Sequence, residues 1–228
     1  MNMKRHTLVE ISVPGRERIF RELNETYDLV YYQEFKKLIL EGYGSVFIPG
    51  IIRRPEKIMP DGVIPVGFAS LNRIDGNRMR VPSFLYSNEV TAFTTPYETV
   101  KMDFIPRNNC LNMLMLILNC AKNKEIETGV WGSAGLELYT GLPFTDDNSD
   151  IDILVKPAPY QKLKSFFDEI NELGSSFSSK ADVELDLPDL GGVKLAELFM
   201  NTDTLLCKSI NDVKLIRKED VIEAISFE

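Results

Sequence analysis

The run Asp150 to Val155, DIDILV, sets two acids into an otherwise apolar strand, and no other feature limits the fold of this chain so tightly. Residues two apart on a strand face the same way. Asp150 and Asp152 therefore project from one face, while Ile151, Ile153 and Val155 fill the other. Such a strand borders a core on one side and a polar site on the other. Upstream, Glu127 to Trp131 reads as a short strand, and Gly132-Ser133 leads into a helix from Ala134 to Tyr139. A glycine at that junction lets backbone approach a phosphate closely, and the free N–H groups of the helix then face the anion. Ser133 can cap the helix or donate to a phosphate oxygen.

Two adjacent carboxylates repel each other, which favours a bound divalent cation, and Mg²⁺ (or Mn²⁺) combines carboxylate with phosphate oxygens. A third acidic position comes from Ala181 to Leu187, ADVELDL, where Asp182, Glu184 and Asp186 alternate with Val183, Leu185 and Leu187. One of these acids beside Asp150 and Asp152 completes a site of the metal-assisted phosphoryl-transfer type. Spacing does not choose among the three.

The remaining elements follow from period and turn chemistry. Leu111 to Ala121 predicts a buried helix. In Tyr160 to Leu173, apolar residues recur at helical spacing, and Gly174 supplies a stop. Pro188 to Gly192 reads as a turn, and Val193 to Phe199 reads equally as strand or helix. The alternation of strand and helix predicts a sheet layer covered by helices. Residues 1–105 read differently. Helices are expected at Arg16 to Asn24 and Gln33 to Glu41. Short strand-like runs fall at Val46 to Ile52 and Gly62 to Phe68, and a hairpin turn at Ile74 to Asn77 leads into Arg78 to Val81. The fold class expected is α+β or α/β: a mostly-β N-terminal unit, 1–105, followed by a mixed sheet flanked by helices, 106–228. Charge divides in the same way, +1 in residues 1–105 and −9 in residues 106–228 of a chain whose net charge is −8.

Composition excludes several function classes. The net charge of −8 argues against nonspecific nucleic-acid binding. The single histidine, His6, rules out multi-histidine metal sites. Cys110, Cys120 and Cys207 form no CxxC pair, so a zinc ribbon is not expected and a reducing, cytoplasmic setting is. The most apolar stretch, Leu111 to Cys120, is half of what a membrane span needs, and the N-terminus carries no apolar signal region.

The segment GSAGLELYTGLPFTDDNSDIDILV resembles the phosphoribosyl-dephospho-CoA transferases, the malonate decarboxylase-specific holo-acyl-carrier-protein synthases of the nucleotidyltransferase superfamily. Gly132-Ser133, Thr140-Gly141-Leu142 and Ser149-Asp150-Ile151-Asp152-Ile153 stand in the order of that family's motifs. Weaker similarities are Arg5-His6-Thr7-Leu8-Val9, Ile51-Ile52-Arg53-Arg54, Ile64-Pro65-Val66-Gly67, Arg78 with Arg80, Asp182-Val183-Glu184-Leu185 and Leu206-Cys207-Lys208. The chain departs from the family at Val183, where a small residue is usual, and in the additional acids Asp146 and Asp147.

The resemblance implies a defined reaction. A serine of an apo acyl carrier protein attacks the α-phosphate of 2′-(5″-triphosphoribosyl)-3′-dephospho-CoA, and pyrophosphate leaves. Asp150, Asp152 and Asp182 would hold the metal, with Asp150, Asp152 and Glu184 as catalytic candidates. Gly132, Ser133, Arg53, Arg54 and Lys208 would bind substrate. Arg53, Arg54, Arg78 and Arg80 are candidates for docking an acidic carrier, and His6 is a terminal residue without an assigned role. Two other readings share the same residues: a nucleotidyltransferase that uses ATP or a similar nucleotide, and a catalytically inactive carrier-binding module.

Overall fold

Apolar alternation in the N-terminal half is resolved by antiparallel pairing. The structure, a computed structural model, describes residues 4–26, 31–56, 59–74 and 76–226. The chain forms two units, Met1–Thr95 and Pro96–Glu228. The first contains β1 (Leu8–Ile11), α1 (Val13–Thr26), α2 (Tyr32–Lys36), β2 (Gly50–Ile52), β3 (Val63–Ile74), β4 (Asn77–Tyr86) and β5 (Val90–Thr94). Its strands pair antiparallel in the order β4-β3-β2-β1-β5. The mostly-β character expected of this half is therefore present.

Several local expectations change. The Gly62 to Phe68 run is the start of a much longer strand, because β3 pairs with β4 from Val63↔Tyr86 to Ile74↔Asn77. That hairpin carries Leu71 and the polar residues Asn72 and Arg73 along as strand. Asp75 of the expected turn lies outside the described residues. The Val46 to Ile52 run forms a strand only from Gly50, after Pro49, which has no N–H to give a ladder; Val46 makes one isolated bridge to Tyr43. The helix expected over Gln33 to Glu41 is α2 followed by a π-helical turn, Lys37–Glu41, ended by Gly42 at φ +74°. Arg16, 6% exposed, reaches from α1 to donate to the carbonyls of Ile39 (3.0 Å) and Ile48 (2.9 Å). A buried guanidinium is tolerated there because those carbonyls satisfy it.

The second unit contains α3 (Pro96–Thr99), α4 (Asn109–Asn123), β6 (Thr128–Trp131), α5 (Gly132–Thr140), β7 (Ile151–Val155), α6 (Tyr160–Gly174), β8 (Ala181–Leu187), β9 (Gly191–Lys194), α7 (Leu195–Phe199), β10 (Thr204–Lys208), β11 (Val213–Arg217) and α8 (Lys218–Ser226). Its sheet runs β11-β10-β9-β8-β7-β6, with β7 and β8 parallel and the other neighbours antiparallel. The Val193 to Phe199 stretch is strand to Lys194 and helix from Leu195. Gly174 is the last residue of α6, not its stop, and Ser175 caps it.

One face of this sheet is core. Ile151, Ile153, Val155, Val183, Leu185, Val193, Leu205 and Cys207 pack with Leu111, Leu114 and Ile117 of α4 and Leu163, Phe166 and Ile170 of α6. Each such side chain is worth roughly 1.5–3 kcal/mol when buried. Asn108 caps α4, its side chain accepting from the Leu111 N–H at 2.9 Å. The other face carries the acids. No helix among the described residues is long and apolar enough to cross a membrane.

Candidate active site

Strand pairing brings the two sequence features together. β6 and β7 are antiparallel with Trp131 opposite Asp152, so the Gly132-Ser133 junction stands beside Asp152. Gly132 has φ +66°, and a Cβ there would overlap the Asp152 carboxylate. Glycine is thus demanded twice, by the left-handed backbone and by the approach of Oδ2. Ser133 does not cap α5, which begins at the N-cap residue Trp131 without a side-chain cap. N–H groups in the first turn of a helix point along its axis and suit an anion.

Asp150 precedes β7, whose first residue is Ile151, and is exposed. The loop that delivers it is fastened by a residue absent from the sequence reading, Glu137 of α5. Its carboxylate is buried and accepts from Arg107 Nε (2.6 Å) and Nη2 (3.0 Å), and from the N–H (2.6 Å) and hydroxyl (2.7 Å) of Thr145. Arg107 Nη2 also donates to the Thr145 carbonyl at 2.6 Å, and Asn108 Nδ2 donates to its hydroxyl at 2.8 Å. The signal in the sequence was that Glu137 is the one charge in the segment GSAGLELYT. Asp146 and Asp147 serve this loop as well. Asp146 Oδ1 accepts from the Asn148 N–H (3.0 Å) and the Ser149 hydroxyl (3.1 Å), and Asp147 Oδ1 from the Asn109 N–H (2.9 Å).

The next strand brings the third acids. In the parallel β7–β8 pair, Asp182 is opposite Asp152 and Glu184 is opposite Leu154. Asp182 is bridged by Lys194 at 2.8 Å, with both side chains about two-fifths exposed (42% and 41%). Glu184 is 4% exposed, and its Oε2 lies 2.6 Å from where a Cβ on Gly192 would stand, so Gly192 makes room for it. Asp186 Oδ2 accepts from the Tyr97 hydroxyl at 2.9 Å. Lys208 ends β10 opposite Gly192.

Charge at the site is felt by its neighbours. Cys110, in the first turn of α4, has its thiol pushed up to about 12, first by burial and then by Glu137, Asp146, Asp150 and Asp152. The Asp182 hydrogen bond raises the Lys194 ammonium, burial opposes it, and the charges of Asp182, Glu184 and Glu197 add to it. Burial and Asp186 push the Tyr97 hydroxyl up. Among the described residues, no group of three or more His, Cys, Asp or Glu side chains is arranged to hold a metal ion.

The arginines and His6 belong to the N-terminal unit. Arg53 is paired with Glu56 at 2.9 Å, Arg54 and Arg80 are exposed, and Arg78 turns its guanidinium to the carbonyls of Ser70 and Leu71. His6 sits in a turn at φ +68°, its N–H donating to the Ile52 carbonyl at 3.0 Å.

The chain resembles proteins already described. The model of the phosphoribosyl-dephospho-CoA transferase MdcG C-terminal domain matches residues 100–219. A phosphoribosyl-dephospho-CoA transferase of Pseudomonas syringae pv. tomato is 28% identical over 171 residues, covering 74% of this chain and 77% of that protein. No solved structure matches. With more than half of its length matched, including Gly132-Ser133, Asp150, Asp152 and the β8 acids, the chain belongs to the phosphoribosyl-dephospho-CoA transferase family and is an enzyme of the transferase class.

Proposed function

We propose that this enzyme transfers the phosphoribosyl-dephospho-CoA group of 2′-(5″-triphosphoribosyl)-3′-dephospho-CoA to a serine of an apo acyl carrier protein, of the malonate decarboxylase type, in the cytoplasm. The observation that carries the reading is the contact of Gly132 with Asp152: an uncapped helix start and a carboxylate meet at one point. The first suits an anionic phosphate, the second a cation that accompanies it.

Mg²⁺ fits these residues. Its usual protein share is one or two carboxylates, with substrate phosphates and water completing the octahedron. Two carboxylates completed by substrate phosphate and water have that form. Asp150 and Asp152 would hold the ion, with Asp182 the nearest third acid by register. Bound there, it would offset triphosphate charge and stabilise the leaving pyrophosphate.

The chain's own groups do the rest. Backbone N–H groups at Gly132 and Ser133 and the Ser133 hydroxyl hold the β- and γ-phosphates. The carrier serine oxygen forms a bond to the α-phosphorus as the bond to the bridging oxygen breaks. Pyrophosphate departs with that electron pair, and the serine proton passes to a β8 carboxylate. Asp182 suits that role better than Glu184, because it is partly exposed and stands opposite Asp152, whereas Glu184 is buried against Gly192.

The test is intact-mass analysis of an apo carrier subunit after incubation with enzyme, Mg²⁺ and either the triphosphoribosyl donor or ATP. A prosthetic-group mass gain from the donor alone, abolished by Asp152→Asn, is the expected result. An AMP adduct instead would favour an ATP-dependent nucleotidyltransferase, and transfer that survives Asp152→Asn would overturn the site.

A further inference from the structure

The acidic face of the C-terminal sheet has a basic border. Lys194 closes β9 opposite Glu184, and Lys208 closes β10 opposite Gly192, which is itself opposite Asp186. Directly opposed residues of paired strands project to the same side. The acids of β7 and β8 therefore share one face with the lysines of β9 and β10, and the Glu184 carboxylate lies over Gly192 between them.

We infer that Lys194 is a polyphosphate-binding residue of this site, a fixed cation that meets the substrate's phosphates beside the Asp152–Asp182 row. The inference rests on the reading of this face as a polyphosphate site and adds to it a residue that the motifs do not contain. Its ammonium donates to Asp182 at 2.8 Å, and Asp182 is the residue paired with Asp152, so the positive charge stands at the acidic row. At 42% exposed, the side chain is open to a ligand. The guanidinium of Arg107, by contrast, is committed to Glu137 and the Thr145 carbonyl. An anion entering a face with four carboxylates needs fixed positive charge, and lysine supplies it as a point charge with rotatable donors that can leave Asp182 for a phosphate oxygen.

The probe is inorganic tripolyphosphate with Mg²⁺, titrated calorimetrically into wild type, Lys194→Met, Lys194→Arg and Asp152→Asn, each checked by thermal unfolding. Loss of one charge-assisted phosphate contact weakens Lys194→Met by about tenfold or more, while Lys194→Arg keeps most of the affinity. The salt dependence of binding also becomes shallower in Lys194→Met, which loss of a surface salt bridge alone would not produce. Equal affinity and equal salt dependence in wild type and Lys194→Met, with Asp152→Asn weakened, overturn the role of Lys194 and leave the site standing. No binding by wild type, or binding indifferent to Asp152→Asn, overturns both.

Discussion

Gly132 and Asp152 occupy space that only one of them can fill: a methyl group on Gly132 would overlap the Asp152 carboxylate. The φ of +66° at Gly132 adds a backbone demand to the steric one. Gly132→Ala is therefore expected to cost about 1–3 kcal/mol in stability, the range for a non-glycine residue held in a strained conformation. The larger effect is on chemistry. The displaced carboxylate lies out of line with the phosphate-facing helix start, and an error of this size costs about 10²-fold in rate. Steady-state transfer assays with matched thermal melts check it: kcat should fall far more than stability explains. Near-normal kcat would show that Asp152 need not lie against this turn.

The bidentate pair of Arg107 and Glu137 makes a different prediction. Glu137 is buried and Arg107 partly exposed, so the pair is neither a free surface bridge nor a dry one. Glu137→Gln weakens four hydrogen bonds, two from Arg107 and two from Thr145, and should destabilise the protein by roughly 2–4 kcal/mol. Arg107→Met removes two of these bonds and leaves the buried Glu137 charge to Thr145 alone, so it should cost at least as much. A double-mutant cycle should return a coupling of about 1–2 kcal/mol. Additive single effects in denaturant unfolding would sink the claim that the two act as one unit.

These two relationships mark how far the sequence could be read. The alternation in DIDILV and ADVELDL announced which face of β7 and β8 is core, and Ile151, Ile153, Val183 and Leu185 are buried accordingly. The Gly-Ser junction was legible only together with the acidic strands, since a glycine between strand and helix is usually just a turn. What alternation cannot supply is register. Asp182 and Glu184 have the same parity, and only the pairing of β7 with β8 sets Asp182 across from Asp152. Lys194 was hidden for the same reason: its role comes from β9 lying beside β8, a neighbour relation that no local period encodes. Glu137 was hidden because a helix of nine residues does not reveal whether its one charge faces water or a loop 8 residues away. In the N-terminal unit, the length of β3 came from its partner β4 and not from its own composition.

Cys110 and Cys120 give the stability of the protein an alkaline limit. Both thiols are pushed up to about 12 from an ordinary value of 9.0, first by burial. A raised acid binds its proton more tightly in the folded state. Its contribution is therefore fully present below pH 9 and is lost as pH rises from 9 toward 12. Unfolding midpoints measured from pH 7 to 10.5 should be flat and then fall, and Cys110→Ser should make the fall shallower. Iodoacetamide at pH 8 should leave Cys110 unlabelled in the native protein and label it in denaturant. Rapid native labelling would contradict the burial of this thiol.

The N-terminal unit carries the opposite limit, in acid. Glu89 accepts from Arg18 Nε (2.6 Å) and Nη2 (2.7 Å) and from the Tyr86 N–H (2.8 Å), while Arg18 lies over the rings of Phe84 and Tyr86. The Arg18 hydrogen bond, with burial opposing it, holds the Glu89 carboxyl below its ordinary value of 4.5. A lowered carboxyl contributes stability that is present above that ordinary value and is lost as pH falls through the folded one. Arg18→Met leaves the carboxylate half-enclosed without its cation, so its acid transition should begin at higher pH than that of wild type. Glu89→Gln has nothing to protonate at that position, and its acid transition should lose this component while neutral-pH stability drops by about 1–3 kcal/mol. Circular dichroism against pH for the three proteins separates the cases. Superimposable acid limbs for wild type and Arg18→Met would show that the pair does not set the acid stability of the unit.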